Sequence, residues 1–205
     1  MKLNGAYDSF TYNLLEHVDK FYGNTKQAQD YIKKNADHIK SLLRLFQKKN
    51  MNLDSKSVID IGCGTGHCLQ EIDVHYKEVA LTGVEFSEQA IKIASAVVPD
   101  ARLIRLDIAQ QALQEEFDAV LCQQVLEHIP DAETALKNLW LMTAPNGFLV
   151  ITVPNGRLDS FAGHIHFWSK ESFTIFLEKS IKTAIDIEVG HLEDGVRLYA
   201  IIRKA

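Results

Sequence analysis

The segment VIDIGCGTGH, residues 58–67, constrains the fold of this chain more than any other stretch. Its apolar first half is typical of a buried strand. The glycines that follow let the backbone turn tightly and let a ligand approach it without a Cβ in the way. A helix that begins at His67 would offer free N–H groups and the positive end of its dipole. A strand, a glycine-rich turn and a helix in this order are typical of a site for a nucleotide-like ligand.

Short apolar runs and helical patterns alternate from Lys56 to the C-terminus. The predicted strands are 57–61, 79–84, 101–106, 117–122, 148–153, 181–189 and 196–202. The predicted helices are 67–76, one that follows Ser87, 131–142 and 169–179, with a turn at 144–147. Runs that are apolar on both faces and separated by helices indicate an α/β fold whose parallel sheet is covered on both sides. The linker 193–195 is too short for a crossover, so the last two strands should be antiparallel.

Residues 1–50 are predicted to form a helical lid or extension, followed by the main domain at 51–205. One apolar stripe at helical spacing consists of Ile32, Ala36, Ile39, Leu43 and Phe46. The cations on the opposite face of that helix indicate a solvated surface, with a partner-binding surface as the alternative. The aromatic residues that would close over a ligand are Tyr7, Phe10, Tyr12, Phe21 and Tyr22. An ordinary packing pair of helices is the alternative, because aromatic residues bury large areas wherever they lie.

Composition and charge narrow the possible functions. Hydrophobic residues make up 46% of the chain and the formal net charge is −5, which disfavours nonspecific binding to nucleic acid. No apolar run approaches the roughly 18 residues that span a bilayer, so we expect no membrane insertion. We expect no signal peptide, because the first ten residues have no apolar core. The chain has an odd number of cysteines and no C-x-x-C motif, which indicates free thiols in a reducing cytoplasm. The three cysteines are Cys63, Cys68 and Cys122.

The identity of the ligand depends on residues beside the glycines. A dinucleotide fingerprint requires a small residue where His67 stands. Asp60, two residues before Gly62, would repel a pyrophosphate but would attract an ammonium group. S-adenosylmethionine has an amino acid end, a sulfonium and an adenosine, and it has no phosphate. Glu85 follows Gly62 by twenty-three residues, the distance at which a carboxylate accepts both ribose hydroxyls of an adenosine. These residues favour S-adenosylmethionine over NAD.

Several segments between about Lys56 and Ala205 resemble the motifs of a known protein family. The segments that resemble motifs of class I S-adenosylmethionine-dependent methyltransferases are DIGCGTG at 60–66, Glu85, RLDI at 105–108 and FDAVLCQQVLEHIPD at 117–131. The segment VLEHIPD at 125–131 is similar to the corresponding segment of the small-molecule branch that includes ubiquinone and menaquinone biosynthesis enzymes. The segments NGFLVITVPN at 146–155 and HIHFWS at 164–169 also resemble that branch.

This resemblance implies a Rossmann-like, seven-stranded sheet that is mostly parallel with an antiparallel last strand and has helices on both faces. It also implies roles for eight residues in binding the cofactor S-adenosyl-L-methionine. Asp60, Gly62 and Gly64 would line the methionine part, Glu85 would hold the ribose, Phe86, Asp107 and Ile108 would meet the adenine, and Gln123 would lie near the ribose and sulfonium.

The implied reaction is a direct, in-line methyl transfer to the oxygen, nitrogen or carbon of a small molecule, with S-adenosyl-L-homocysteine as product. Such an enzyme mainly aligns donor and acceptor, and it needs a base only where the acceptor carries a proton. The candidate bases are His166, His164 and His128, with a loop-bracing role as the alternative for His128. No third ligand of suitable spacing accompanies His164 and His166, so we expect no metal. The alternative functions are a catalytically silent, methyltransferase-like partner subunit and an NAD-linked oxidoreductase.

Overall fold

The computed structural model of the chain describes residues 13–205, so the predicted lid residues Tyr7, Phe10 and Tyr12 lie outside the described residues. The seven strands are β1 (Ser57–Ile61), β2 (Ala80–Glu85), β3 (Arg102–Arg105), β4 (Phe117–Gln123), β5 (Thr143–Pro154), β6 (Ala184–Leu192) and β7 (Arg197–Lys204). The helices are α1 (Leu15–Gly23), α2 (Thr25–Lys48), α3 (His67–His75), α4 (Glu88–Val97), α5 (Ala132–Leu141) and α6 (Lys170–Ser180).

The strands form one sheet in the order β3-β2-β1-β4-β5-β7-β6. Strands β1 to β5 pair in parallel, and β7 lies antiparallel to both β5 and β6. The predicted fold class is therefore confirmed, including the antiparallel last strand. Because the strand order reverses between β1 and β4, a crevice opens at their carboxyl ends, where α/β sheets usually bind ligands.

Side-chain caps fix the starts of α4 and α5, two of the helices that cover this sheet. The Ser87 hydroxyl accepts a hydrogen bond from the amide of Ala90 at 3.2 Å and so caps the start of α4. The Asp131 carboxylate accepts the amide of Thr134 at 3.0 Å at the start of α5. These short polar side chains satisfy donors that a helix start leaves unpaired. Among the helices of residues 13–205, none has the length and apolar character needed to cross a membrane.

Strand β5 is longer than predicted. Thr143 pairs with Phe117 and Phe148 pairs with Ala119, so residues 144–147 form a bulge within the strand instead of a turn before it. A Cβ on Gly147 would lie 2.8 Å from the carbonyl oxygen of Ala144, which explains why glycine stands in this tight loop. The prediction of a free turn was wrong because the pairing of Thr143 depends on a strand that local sequence does not reveal.

A hydrophobic core lies on each face of the sheet, and neighbouring residues of β1 alternate between them. One core contains Ile59 and packs under α5 and α6. The other contains Val58 and packs under α2 and α3. Leu42 and Phe46 of α2 are fully buried in this second core, and Met51 and Leu53 join them there. The last turns of α2 thus share a core with the sheet, and the predicted division between residues 50 and 51 stays a prediction.

Candidate functional site

The glycine loop after β1 adopts a backbone that only glycine accommodates easily. Gly62 and Gly64 have φ values of 73° and 53°, in the left-handed region. A Cβ on Gly62 would lie 2.3 Å from Cγ2 of Val125, so the loop also packs too closely for any side chain there. The amide of Gly62 donates to the carbonyl of Val84 at 2.7 Å, which joins the loop to the end of β2. Backbone hydrogen bonds therefore fix the position of the loop beside the end of β2.

Asp60 is a buried carboxylate without a cationic partner among residues 13–205. Its Oδ1 accepts a bond from Nε2 of Gln123 at 3.4 Å, and burial raises the pKa of this carboxyl to about 7. Oε1 of Gln123 is itself buried and has no hydrogen-bond partner within the described chain. Both side chains line a cavity of about 60 Å³ beside Gly62 and Gly64. The structure thus brings four of the predicted cofactor residues together, with polar atoms available to a ligand.

Glu85 lies at the carboxyl end of the neighbouring strand, and backbone amides fix its orientation. Its carboxylate accepts bonds from the amides of Gly64 at 3.0 Å, Phe86 at 2.9 Å and Ser87 at 3.0 Å. Burial raises the pKa of the Glu85 carboxyl, while these amide bonds oppose the rise. Glu85 and Asp60 therefore occupy the ends of adjacent parallel strands on either side of the glycine loop.

A second cleft, of about 480 Å³, opens beyond Glu85. Phe86 and Asp107 line it, as expected of residues that would meet an adenine. Asp107 accepts bonds from the amide of Ala109 and from the side chain of Gln110, both at 2.9 Å. Ile108, by contrast, has its side chain in the hydrophobic core beneath. Its predicted contact with the adenine face stays a prediction.

Helix α1 reaches both the cleft, which Leu15 lines, and the glycine loop. The Tyr22 hydroxyl lies 3.1 Å from where a Cβ of Gly64 would stand, so this predicted lid residue lies directly on the glycine loop. Asp19 holds the helix in place, because its carboxylate accepts the Ser87 hydroxyl at 2.5 Å and the amide of Gln89 at 3.3 Å. The lid function itself stays a prediction.

The three candidate bases lie next to one another but are engaged differently. Nδ1 of His164 lies 2.6 Å from Oδ2 of Asp159, a pairing that orients the ring. His128 lies 3.3 Å from the carbonyl oxygen of Gly163, and burial lowers its pKa to about 4. His166 donates from Nε2 to the carbonyl of Ile129 at 2.9 Å, and its ring stacks on Trp168. Nε2 of His166 is thus engaged, whereas Nε2 of His164 and of His128 has no hydrogen-bond partner among the described residues. The role of each histidine as a base stays a prediction.

Two polar groups escaped the sequence analysis. His38 lies on α2 and lines the smaller cavity, with Nδ1 2.9 Å from Oε1 of Glu193 and Nε2 3.2 Å from the Thr152 hydroxyl. Glu127 is fully buried next to His128. Nothing in the local sequence marks either residue, since the partners of His38 are more than a hundred residues away and only the fold buries Glu127.

Comparisons with known proteins agree on one family. A family model described as a methyltransferase domain matches residues 26–184. The ubiquinone biosynthesis O-methyltransferase of Chromobacterium violaceum is 27% identical over 126 residues, which cover 58% of this chain and 53% of that protein. The protein of the same name from Bordetella bronchiseptica is 29% identical over 132 residues, covering 60% and 54%. The chain thus spans about half the length of these curated relatives.

Solved structures have the same fold. The N-methyltransferase NodS of Bradyrhizobium japonicum, in complex with S-adenosyl-L-homocysteine, gives a TM-score of 0.72 at 22% identity and covers 94% of this chain and 98% of NodS. The DhpI-SAM-HEP complex gives a TM-score of 0.73 at 17% identity and covers 97% of this chain and all of that one (100%). At these identities the likeness establishes the fold alone.

Proposed function

Since the chain belongs to the methyltransferase domain family, we propose that it transfers a methyl group from S-adenosylmethionine to a small-molecule acceptor. One observation carries the proposal: the buried carboxylates of Asp60 and Glu85 end two paired strands on either side of a glycine loop. The names of the relatives and structural neighbours, which include O- and N-methyltransferases, support the reaction class.

The residues at the crevice fit the proposed cofactor. Asp60 is buried without a cation within residues 13–205, and an ammonium group would supply one. Gln123 offers a buried amide oxygen without a partner in the same region. Oε2 of Glu85, which accepts only the amide of Gly64, would accept a ribose hydroxyl, and the cleft beside Phe86 and Asp107 would hold the adenine.

The same residues disfavour NAD. A pyrophosphate would lie over the glycine loop, where the buried Asp60 would repel it. His67 stands where the dinucleotide fingerprint needs a small residue, and its Nδ1 lies 2.9 Å from the Thr65 hydroxyl. The buried and oriented carboxylates of Asp60 and Glu85 argue against a fold that has lost its ligand. A silent partner subunit that still binds the cofactor remains the alternative, and a measurement of turnover separates it from an enzyme.

When bound, the sulfonium of the cofactor would supply the electrophilic methyl group. The chain would then contribute alignment: Asp60 and Glu85 would fix the two ends of the donor, and α1 would exclude water from the crevice. The acceptor would approach from the side of His128 and His164, next to the ends of β4 and β5. A hydroxyl acceptor would also have to lose a proton at that place. Whether oxygen, nitrogen or carbon receives the methyl group is decided by testing small-molecule acceptors of each class.

The compartment is part of the proposal. The three cysteines, Cys63, Cys68 and Cys122, are free and buried, which supports a reducing cytoplasm. The negative net charge supports a small-molecule substrate over nucleic acid.

The activity is tested by incubating the chain with S-adenosylmethionine and each member of a panel of phenols, carboxylic acids and amines. The S-adenosyl-L-homocysteine that forms is measured by chromatography. We expect turnover with at least one small acceptor, and its loss in Asp60→Asn. The matched control is Glu88→Gln, an exposed carboxylate on α4 that should keep full activity. Binding of S-adenosylmethionine without product from any acceptor class would support the silent subunit instead.

A further inference from the structure

A group of three metal-binding side chains lies beside the proposed acceptor position. Glu127 and His128 belong to a short 3-10 turn, Leu126–His128, that directly follows β4. His164 lies in the loop between β5 and α6. The amides of Ile165 and His166 donate to the backbone carbonyl of Glu127, at 2.8 and 3.2 Å, and so hold that loop against the turn. The fold therefore brings into contact two segments that are 36 residues apart in the sequence.

Glu127 is the residue that most needs a partner. Its side chain is fully buried, and neither carboxylate oxygen has a hydrogen-bond partner within residues 13–205. An ionised carboxylate in such a place costs several kcal/mol unless a cation or a donor compensates it. A cation bound at this position would supply the partner that the described residues do not provide.

The two histidines are arranged as metal ligands usually are. Nδ1 of His164 faces Oδ2 of Asp159 at 2.6 Å, and Nδ1 of His128 faces the carbonyl oxygen of Gly163 at 3.3 Å. With both Nδ1 atoms donating, each Nε2 keeps its lone pair and has no protein partner in the described chain. Ligating histidines commonly donate their other ring nitrogen to a carboxylate or carbonyl in this way, which fixes the tautomer and the ring orientation.

We propose that Glu127, His128 and His164 together bind one divalent transition-metal ion of the zinc class. One donor atom from each side chain already lies within 4.8 Å of the other two. Ligands at about 2.1 Å from a common ion lie roughly 3 to 4 Å apart, so only a small contraction is required. Two imidazoles and one carboxylate suit Zn²⁺ and its neighbours, whereas Mg²⁺ and Ca²⁺ prefer oxygen ligands.

The proposed ion would act on the acceptor, and this part of the inference rests on the proposed function. Three protein ligands leave a coordination position open, as in catalytic zinc sites. An acceptor hydroxyl bound there would be polarised and its pKa lowered, so that it could release its proton to solvent water without a protein base. His128 and His164 would then be ligands and not bases. The sequence predicts no metal because no third ligand of suitable spacing accompanies His164 and His166, whereas the proposed site takes its other ligands from the turn after β4.

Metal binding is tested on the full chain after removal of bound metal with a chelator. We expect Zn²⁺ to bind with a stoichiometry of one per chain in equilibrium dialysis, and Co²⁺ to give the visible absorption of a low-symmetry site. Mg²⁺ at the same concentrations should not compete. A stoichiometry near zero would overturn the proposal.

Two substitutions locate the ion. Glu127→Gln keeps shape and burial but removes the charge, so it should weaken Zn²⁺ binding at least tenfold, whereas a merely protonated structural glutamate would tolerate it without any change in binding. His164→Ala should have a similar effect. The matched control is His191→Ala, an exposed histidine on β6 that should bind Zn²⁺ as the unsubstituted chain does. Equal binding by all three variants would place the ion elsewhere and overturn the proposal.

A parallel titration with S-adenosyl-L-homocysteine separates this inference from the proposed function. If the chain binds S-adenosyl-L-homocysteine but not Zn²⁺, only the metal site is wrong. If it binds Zn²⁺ but not S-adenosyl-L-homocysteine, the site at Glu127 stands and the proposed function fails.

Discussion

The carboxylate of Glu85 accepts the backbone amide of Gly64 at 3.0 Å, which ties the end of β2 to the loop after β1. The same carboxylate accepts two further amides, from Phe86 and Ser87. A single buried side chain thus orients the glycine loop and the start of α4 at once. Oε1 accepts two of these amides and Oε2 accepts one, so one lone pair of Oε2 remains available to a ribose hydroxyl.

Replacing Glu85 should affect both binding and stability. In Glu85→Gln the side-chain NH₂ would face a backbone amide, so at least one buried donor would lose its acceptor, at a cost of about 1–3 kcal/mol. Loss of the charge should also weaken S-adenosyl-L-homocysteine binding at least tenfold in isothermal titration below the melting temperature. Glu88→Gln, on the exposed face of α4, should change neither quantity. Unchanged affinity in Glu85→Gln would exclude the ribose role.

Asp60 should make the stability of the ligand-free chain depend on pH. Its pKa is about 7 in the folded protein and about 3.8 in the unfolded chain, so between these values the folded state holds a proton that the unfolded state has released. The contribution of Asp60 to the free energy of unfolding is therefore greatest at low pH and is lost as the pH rises to about 7. From pH 5 to pH 8 the unsubstituted chain should lose about 3 kcal/mol relative to Asp60→Asn, at about 1.4 kcal/mol per pKa unit.

Urea unfolding at both pH values measures this difference. Asp73→Asn, an exposed position on α3, should retain the pH dependence of the unsubstituted chain. If Asp60→Asn follows the same curve as the unsubstituted chain, Asp60 ionises normally and its burial does not control its charge.

The contact of Asp19 with the start of α4 should control access to the glycine loop. Asp19→Ala removes two hydrogen bonds to a carboxylate, so α1 should exchange its amide hydrogens faster and S-adenosyl-L-homocysteine should associate about tenfold faster in stopped-flow fluorescence. Asp30→Ala, exposed on α2, is the control. If protection of α1 and the association rate are both unchanged, α1 does not gate the site.

The packing of Gly62 predicts a large effect of one methyl group. Gly62→Ala would place a Cβ 2.3 Å from Cγ2 of Val125, in a backbone with φ of 73°. We expect a loss of about 2–4 kcal/mol in the free energy of unfolding, from steric overlap and left-handed strain together. Adding Val125→Ala should remove the overlap but not the strain, so the double variant should recover part of the loss. Additive effects of the two substitutions would show that they do not interact.

The sheet could be predicted because apolar runs and helical spacing are local signals. The segment 57–61 matched β1 without error, and the short linker at 193–195 led correctly to antiparallel pairing of β6 and β7. The bulge at 144–147 could not be predicted, since Ala, Pro, Asn and Gly in succession also favour a free turn. Only the pairing of Thr143 with Phe117 distinguishes the two.

Part of the candidate site could also be predicted from the sequence. Asp60 and Glu85 stand at fixed distances from the glycines, so their positions at adjacent strand ends followed from the sequence. Glu127 was missed because its importance lies in its burial and its missing partners, which are properties of the folded chain. His38 was missed because its partners, Thr152 and Glu193, come from β5 and from the turn after β6.

The most direct test of the account is a calorimetric titration of the purified chain with S-adenosyl-L-homocysteine, S-adenosylmethionine and NAD. We predict one-to-one binding of the two adenosyl compounds, lost in Asp60→Asn at neutral pH, and no heat with NAD. Binding of NAD alone, or of none of the three, would contradict it.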